Sequence, residues 1–538
     1  MSESGPGATS GADASSGRPA ARPPIRVLDP ATAKRQLDGE APKPALYLSN
    51  RLIVRGLPVD SPRDPDEELP LAKALKELKL DYRVDDRPGR GLGRGQSRGP
   101  SGPSGPGWGT TITLVAENPI DPVDAWSTLQ ELRQSHRELA ESLSLDHVLR
   151  PADGYWGGVG GYWGGVGGYW GGVGGYWGGV GGSALEEYAV PGRGGRMPVA
   201  LALPDPALRA KSLPRNPVVA LLDTPVADHP WFRDPSRLVR LRYVDGLLVP
   251  ADTGDVTAGG PAATTTGATI SSPPPGGTPP PVEPVGLLAG HATFIAGLIR
   301  QGCPEATILS VPVMDDDGVV DESHLLDVLE ALLARHTAGQ RRGGTRADVV
   351  DVLSLSMGYY AEDATYTSGP VHEMLDRFIE AGVTVVAGAG NDGTTHPFVP
   401  ASLAAELPTP KAAQVSPVCS VGASNPNGAT TALFSNPLTV INAVRAGVSL
   451  VSTVPLTDGM GQPSSSVSGL TGVRCTVDPD DYTGGFGLWS GTSFATPVFA
   501  AEVTAALVDS GRLATVTPAA MRERSLTALR SCLKKDTP

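Results

Sequence analysis

Three side chains that can cooperate in nucleophilic chemistry stand at the ends of apolar runs in this 538-residue chain. Asp223 follows Val218-Val-Ala-Leu-Leu222 directly. An acid set against five apolar residues is poorly solvated and needs a partner. His291 opens Gly290-His-Ala-Thr-Phe-Ile-Ala-Gly297, a predicted helix whose small residues let it approach a strand closely. Ser493 lies in Trp489-Ser-Gly-Thr-Ser-Phe-Ala-Thr-Pro497, where a glycine permits a sharp turn before an apolar helix. Ser493 is therefore expected at a helix N-terminus, where backbone N–H groups and the helix dipole favour negative charge. A fourth signal is Val385-Val-Ala-Gly-Ala-Gly-Asn391, whose terminal amide can donate to a developing oxyanion. A hydroxyl, an imidazole and a carboxylate suit attack on a carbonyl, with the carboxylate orienting the base. Taken singly, each residue has an ordinary explanation: a turn acid, a packed histidine, a capping serine.

The elements that must position these residues are short apolar runs alternating with helical segments from about residue 201 onward. The runs are Val218–Leu222, Ile308–Val313, Val349–Leu355 and Val383–Ala387. Continuous rather than alternating apolarity predicts parallel strands covered on both faces, hence a doubly wound α/β sheet. In such a sheet, functional groups gather beyond the carboxyl ends of the strands, where Asp223 and Asn391 stand.

The order Asp, His, Ser and the segments around these residues resemble the subtilisin-like serine peptidase (subtilase) family. The resemblance covers about residues 215–510. It includes Leu353-Ser-Leu-Ser356-Met357-Gly358, Phe398-Val-Pro400-Ala401 and Val421-Gly422-Ala423. It implies a subtilisin-like three-layer α/β fold and a serine endopeptidase acting on proteins or peptides. By that resemblance Asp223, His291 and Ser493 are the catalytic residues, and Asn391 and the Ser493 N–H form the oxyanion hole. Ser356, Met357 and Gly358, with Gly388, Ala389 and Gly390, bind the substrate backbone and border the P1 pocket. Pro225, Ala292 and Phe294 depart from the family pattern, affecting loop geometry and cleft shape but no reacting atom. Two other readings stand beside it: a catalytically silent binding or scaffold protein, and a sedolisin-like enzyme with a Glu base, which the His291 motif disfavours.

Composition bounds the rest. Glycine (68) and proline (52) are abundant, so much of the chain is expected to be irregular. A net charge of −13 gives no global attraction for nucleic acid. No apolar run approaches the ~20 residues of a membrane helix, and the first 26 residues carry no apolar signal core. These features predict a cytoplasmic protein with reduced thiols, with export by a route lacking a visible signal left open. No cofactor or metal is expected from the residues. Calcium is a structural ion of the family, but no ligands can be assigned, and Asp315-Asp-Asp-Gly318 reads as an acidic turn.

Residues 1–42 read as a disordered tail and 43–150 as a small α/β domain of ferredoxin-like or recognition type. Residues 151–200 read as a linker containing four copies of Tyr-Trp-Gly-Gly-Val-Gly-Gly, and 201–538 as the catalytic domain, with a disordered insertion at about 252–284. Residues 88–107 read as a flexible loop. Asp121-Pro122 is expected to start a helix in the small domain, with Trp126, Leu129, Leu132, His136, Leu139 and Leu143 on its packed face. The small domain is read either as an intramolecular inhibitor removed by cleavage within about 183–215 or as an independent recognition unit. His229 and His396 are given no catalytic role.

Overall fold

The computed structural model describes residues 23–55, 70–85, 108–151, 197–251, 288–315, 318–406, 417–456, 466–469, 472–475, 482 and 484–533. The expectations for residues 88–107, for the repeats and for the insertion at 252–284 lie outside these residues.

The N-terminal unit comprises β1 (Ile25–Leu28), β2 (Ala45–Arg55), α1 (Pro70–Glu77), β3 (Leu80–Val84), β4 (Gly109–Ala116), α2 (Ala125–Ser135), α3 (Arg137–Ala140) and β5 (Leu143–Pro151). Its antiparallel order β3-β4-β2-β5, with a helix after β2 and another after β4, is the ferredoxin-like arrangement. Tyr47, Leu52, Trp126, Leu129 and Leu145 form its core.

Three local expectations are corrected here. Residues 25–28, expected in a disordered tail, pair with β2 as β1. Helix α2 is capped by Asp124, not Asp121, because the Asp124 carboxylate accepts the Ser127 N–H at 3.0 Å. His136 ends that helix half-exposed, with Nε2 3.0 Å from Glu77, and Leu143 already belongs to β5. A helical period of apolar residues had run across a helix end and into a strand.

The second unit adds β6 (Met197–Pro198), β7 (Val218–Asp223), β8 (Leu238–Val244), β9 (Leu247–Pro250), α4 (His291–Gly302), β10 (Thr307–Pro312), β11 (Val320–Asp321), α5 (Glu322–Gln340), β12 (Val352–Leu355) and β13 (Met357–Tyr360). It continues with α6 (Pro370–Glu380), β14 (Thr384–Gly388), β15 (Phe398–Val399), β16 (Cys419–Ser424), β17 (Ala443–Ala446), β18 (Leu450–Thr453), β19 (Ser466–Gly469), β20 (Gly472–Cys475), β21 (Phe486–Trp489), α7 (Thr492–Asp509) and α8 (Pro518–Leu533). The main sheet runs β17-β16-β14-β12-β7-β10-β8-β9, parallel throughout except for the edge strand β9. Alternate residues of each strand face opposite layers. Val219 and Leu221 pack under α4 and α7, while Val218, Ala220 and Leu222 face α5 and α6. All five are buried to within 1%. Each Val or Leu contributes roughly 1.5–3 kcal/mol by leaving water.

The two units share a second sheet, β15-β13-β5-β2-β4-β3, in which β5 bridges them. β5 pairs antiparallel with β13 (Arg150 opposite Gly358, Pro151 opposite Met357) and with β11. Ile53, Trp108 and Leu149 extend the apolar layer over α5.

Candidate active site

The site lies at the carboxyl end of the parallel sheet. Asp223 closes β7, and its Oδ1 lies 2.7 Å from Nδ1 of His291, the first residue of α4. Both side chains are fully buried. A carboxylate accepts there, so Nδ1 carries the proton and Nε2 is left as the basic nitrogen of the neutral ring. The next residue, Thr224, holds the helix itself, its hydroxyl accepting the Ala292 N–H at 3.0 Å. The strand-end pair Asp223-Thr224 thus fixes both the imidazole and the helix that carries it. Trp489 and Phe494 wall the ring, with centroids 5.6 and 5.2 Å from that of His291. Phe294, one of the departures from the family pattern, points into the same aromatic cluster, 4.7 Å from Phe494. Gly297 serves the close helix–strand approach: a Cβ there would lie 2.2 Å from Ser452 Oγ.

Ser493 is the second residue of α7, after Gly491 at φ 156° and ψ 158°, a region essentially reserved for glycine. Its hydroxyl donates to the Ser356 carbonyl at 3.1 Å. In return, Ser356 Oγ donates to the Ser493 carbonyl at 2.8 Å. The second bond has a sequence cause. Pro497, four residues on, has no N–H to give that carbonyl, and Ser356 takes the place of the missing helical donor.

Asn391 sits just beyond β14. Its Oδ1 accepts the Thr492 N–H at 2.8 Å, which fixes the orientation of the amide. Its Nδ2 is buried with no partner among the described residues. Gly390 N–H donates to Thr492 Oγ1 at 3.1 Å, tying the same loop to the start of α7. Ser356, Met357 and Gly358 follow β12 and form the start of β13, while Gly388, Ala389 and Gly390 lead out of β14. These are two neighbouring chain segments on the Ser493 side of the sheet.

His229 and His396 are bound elsewhere. His229 Nδ1 accepts the Trp231 N–H at 3.2 Å, and His396 Nε2 donates to the Ala361 carbonyl at 2.8 Å. Burial depresses both to a pKa of about 4. Cys303, Cys419 and Cys532 are buried free thiols, and burial raises Cys303 and Cys419 to about 12. Among the described residues, no group of three or more His, Cys, Asp or Glu is placed to hold a metal ion. No described helix is long and apolar enough to cross a membrane.

Sequence reasoning missed Thr224, the Ser356 hydroxyl and the Tyr360–Asp392–Asn436 group. The Tyr360 hydroxyl donates to Asp392 and accepts from Asn436 Nδ2 at 2.9 Å. Burial raises the Asp392 pKa, while the bond from Tyr360 acts in the opposite direction. A proline inside a predicted helix was the one available signal, since it announces a carbonyl in need of another donor.

Residues 214–535 match the Subtilase family, more than half of the chain. The chain belongs to the subtilase family. A curated relative is the minor extracellular protease Epr of Bacillus subtilis (strain 168), 29% identical over 117 residues, which are 20% of this chain and 15% of Epr. The chain therefore aligns with only a small part of that relative's length. Among solved structures, fervidolysin from Fervidobacterium pennivorans, a keratinolytic enzyme related to subtilisin, is 17% identical over 86% of this chain and 55% of its own, with a TM-score of 0.43. A point mutant of the protease domain of PatA is 20% identical, covering 60% of this subtilase and 96% of that domain, with a TM-score of 0.36.

Proposed function

We propose that this subtilase is a serine endopeptidase that hydrolyses protein or peptide substrates through Asp223, His291 and Ser493. Ser493 Oγ adds to the scissile carbonyl carbon while its proton passes to His291 Nε2. Nδ1–H remains held by Asp223, whose charge stabilises the imidazolium. The carbonyl oxygen becomes an oxyanion facing Asn391 Nδ2 and the Ser493 N–H at the positive end of α7. Collapse breaks the C–N bond, and the leaving amine takes the proton from His291. Water then adds to the acyl-enzyme with His291 again as base, freeing the acid and restoring Ser493. Ser356, Met357, Gly358, Gly388, Ala389 and Gly390 bind the substrate main chain. The reading is carried by the buried 2.7 Å bond between Asp223 and His291, which holds the ring in the tautomer a serine base requires. The Asn391 Nδ2 donor adds support.

We further propose that the N-terminal domain inhibits the enzyme intramolecularly. Support comes from β5, which lies along the β13 edge where a substrate strand would pair. The β5–β13 pairing engages Arg150 and Pro151, well before the cleavage window of 183–215.

A fluorophosphonate probe tests the nucleophile: wild type should label and Ser493→Ala should not, with hydrolysis falling by ~10⁶ in the variant. Equal labelling of the two would favour the silent-scaffold reading. Asn391→Leu should lower kcat by about 10²–10³ with KM little changed, read by steady-state kinetics.

A further inference from the structure

One buried amide outside the triad spends its hydrogen bonds on the loop that carries Asn391. Asn436 lies between β16 and β17 and is 1% exposed. Its main-chain N–H donates to the Gly390 carbonyl at 3.0 Å. Its Nδ2 donates to the Ala389 carbonyl at 3.0 Å and to the Tyr360 hydroxyl at 2.9 Å. Its Oδ1 accepts the N–H groups of Asp392 and Thr394 at 3.0 and 3.1 Å. The backbone is thus held at 389 and 390 before Asn391 and at 392 and 394 after it. Asn391 itself is left to other partners. Its Oδ1 takes the Thr492 N–H at 2.8 Å, and its Nδ2 is buried without a partner among the described residues.

The loop needs such a clamp. Gly390 at φ 96° and Gly393 at φ 59° are both left-handed, and glycine has many other conformations open to it. Bonds from outside the loop select this one. The amide is packed directly on the turn: a Cβ on Gly390 would lie 2.3 Å from Asn436 Nδ2. The Phe434 carbonyl, two residues earlier on the same segment, accepts the Gly393 N–H at 2.8 Å. The residue type matters as well. A side-chain amide can donate to a carbonyl on one side of Asn391 and accept N–H groups on the other. Aspartate would keep the acceptor and lose the donor, and alanine would lose both.

We propose that Asn436 is a positioning residue for the oxyanion donor, fixing the backbone on both sides of Asn391 so that Nδ2 is aimed before substrate arrives. The inference rests on the reading of Asn391 as that donor. Such a donor is worth most when it need not reorganise during the reaction. A displacement of about 1 Å can cost on the order of 10²-fold in rate.

The test uses the full chain, a peptide anilide, and rates normalised to the sites that fluorophosphonate titrates, so that loss of folded protein does not enter. Asn436→Ala should lower kcat by ~10–10²-fold and change KM by less than ~2-fold. Asn436→Asp should lower kcat as well, because a carboxylate oxygen would then face the Ala389 carbonyl. It keeps the shape and the accepted bonds, and it carries the same comparisons where Asn436→Ala does not fold. The deciding measurement is the double variant. In an Asn391→Leu background, Asn436→Ala should lower kcat by no more than ~3-fold further, since the amide it aims is gone. Equal losses in the two backgrounds, or a wild-type kcat in the Asn436 variants, overturn the proposal. A second readout is inhibition by a peptide boronic acid, whose tetrahedral adduct with Ser493 presents an oxygen to the oxyanion donors, against binding of the matching peptide acid. Asn436→Ala should weaken the boronic acid by at least ~10-fold and leave the peptide acid unchanged; equal weakening of both counts against the proposal. A wild-type kcat in Asn391→Leu alone would remove the oxyanion reading and this proposal with it, a result distinct from equal losses in the two backgrounds.

Discussion

The two large sheets of this subtilase are held by different means. The central strands of the parallel sheet are buried on both faces, and charged groups cluster at its two ends. At its amino end, Asp351 accepts from Arg215 at 2.8 Å, from Arg524 at 3.0 Å and from the Val218 N–H at 2.9 Å. At its carboxyl end lie Asp223, His291 and Asn391. The antiparallel sheet is assembled from segments some 200 residues apart, and its junction is polar. Asp146 of β5 accepts the Ser323 N–H at 3.0 Å and Ser323 Oγ at 2.8 Å, capping α5 from the other unit. Burial, reinforced by nearby Asp321, pushes that carboxyl up to about 6 despite Arg51. His147 stacks on Tyr359 with Nδ1 2.5 Å from Glu322 and Nε2 2.7 Å from Glu362. An apolar sheet gives a permanent scaffold; a junction of buried charges gives an attachment that one substitution or a pH change can weaken.

The comparison predicts graded outcomes. Asp351→Ala strands two buried guanidiniums and should cost about 3–5 kcal/mol of global stability in chemical unfolding. An unchanged midpoint would show that the amino end of the parallel sheet does not depend on that cluster. His147→Ala should act locally instead. It leaves Glu322 and Glu362 facing each other and should weaken docking by roughly 3 kcal/mol, read as faster amide exchange along β5 and β13. Peptidase activity should rise in the same variant where the domain inhibits.

The pH dependence of docking has a definite sign. Burial alone would depress the His147 pKa, but Glu362 and Glu322 outweigh it and raise it from 6.5 to about 10. A raised folded value means that the stabilisation is fully present below about 6.5 and is lost as pH rises through about 10. Protection factors along β5, which divide out the base-catalysed intrinsic exchange rate, should therefore fall over that interval in wild type and stay nearly constant in His147→Ala. The smallest effect is expected at Arg133–Asp363, a 2.8 Å pair at the edge of the junction. Arg133→Ala should weaken docking by about 1 kcal/mol or less, with no change in global unfolding.

Much of the parallel half was legible because burial on both faces favours apolar runs, and two of them, Val218–Leu222 and Val383–Ala387, end just before Asp223 and the Gly388–Asn391 segment. His291 and Ser493 were legible instead from the glycines and small residues that open their helices. The parts played by the Thr224 and Ser356 hydroxyls were not, since they come from meeting backbone groups of segments distant in the chain. The small domain was legible in outline only. Its helix face was traced through His136 to Leu143 because apolar spacing does not mark where a helix yields to a strand. Residues 25–28 (Ile-Arg-Val-Leu) lie in a stretch of glycine, serine, alanine and proline with few large apolar groups, and they order by adding to the edge of β2.

By itself, the sequence determined which residues could react and in what order they occur, because reactivity belongs to side-chain type and the strand ends announce themselves by composition. Only the tertiary structure decided what surrounds them. It set β5 along β13, locked His147 between two carboxylates, and closed Asn436 over the loop that carries Asn391. Those facts depend on pairing and packing across long stretches of chain, where the position of one amide relative to a distant loop is fixed by the whole sheet and written in no local motif.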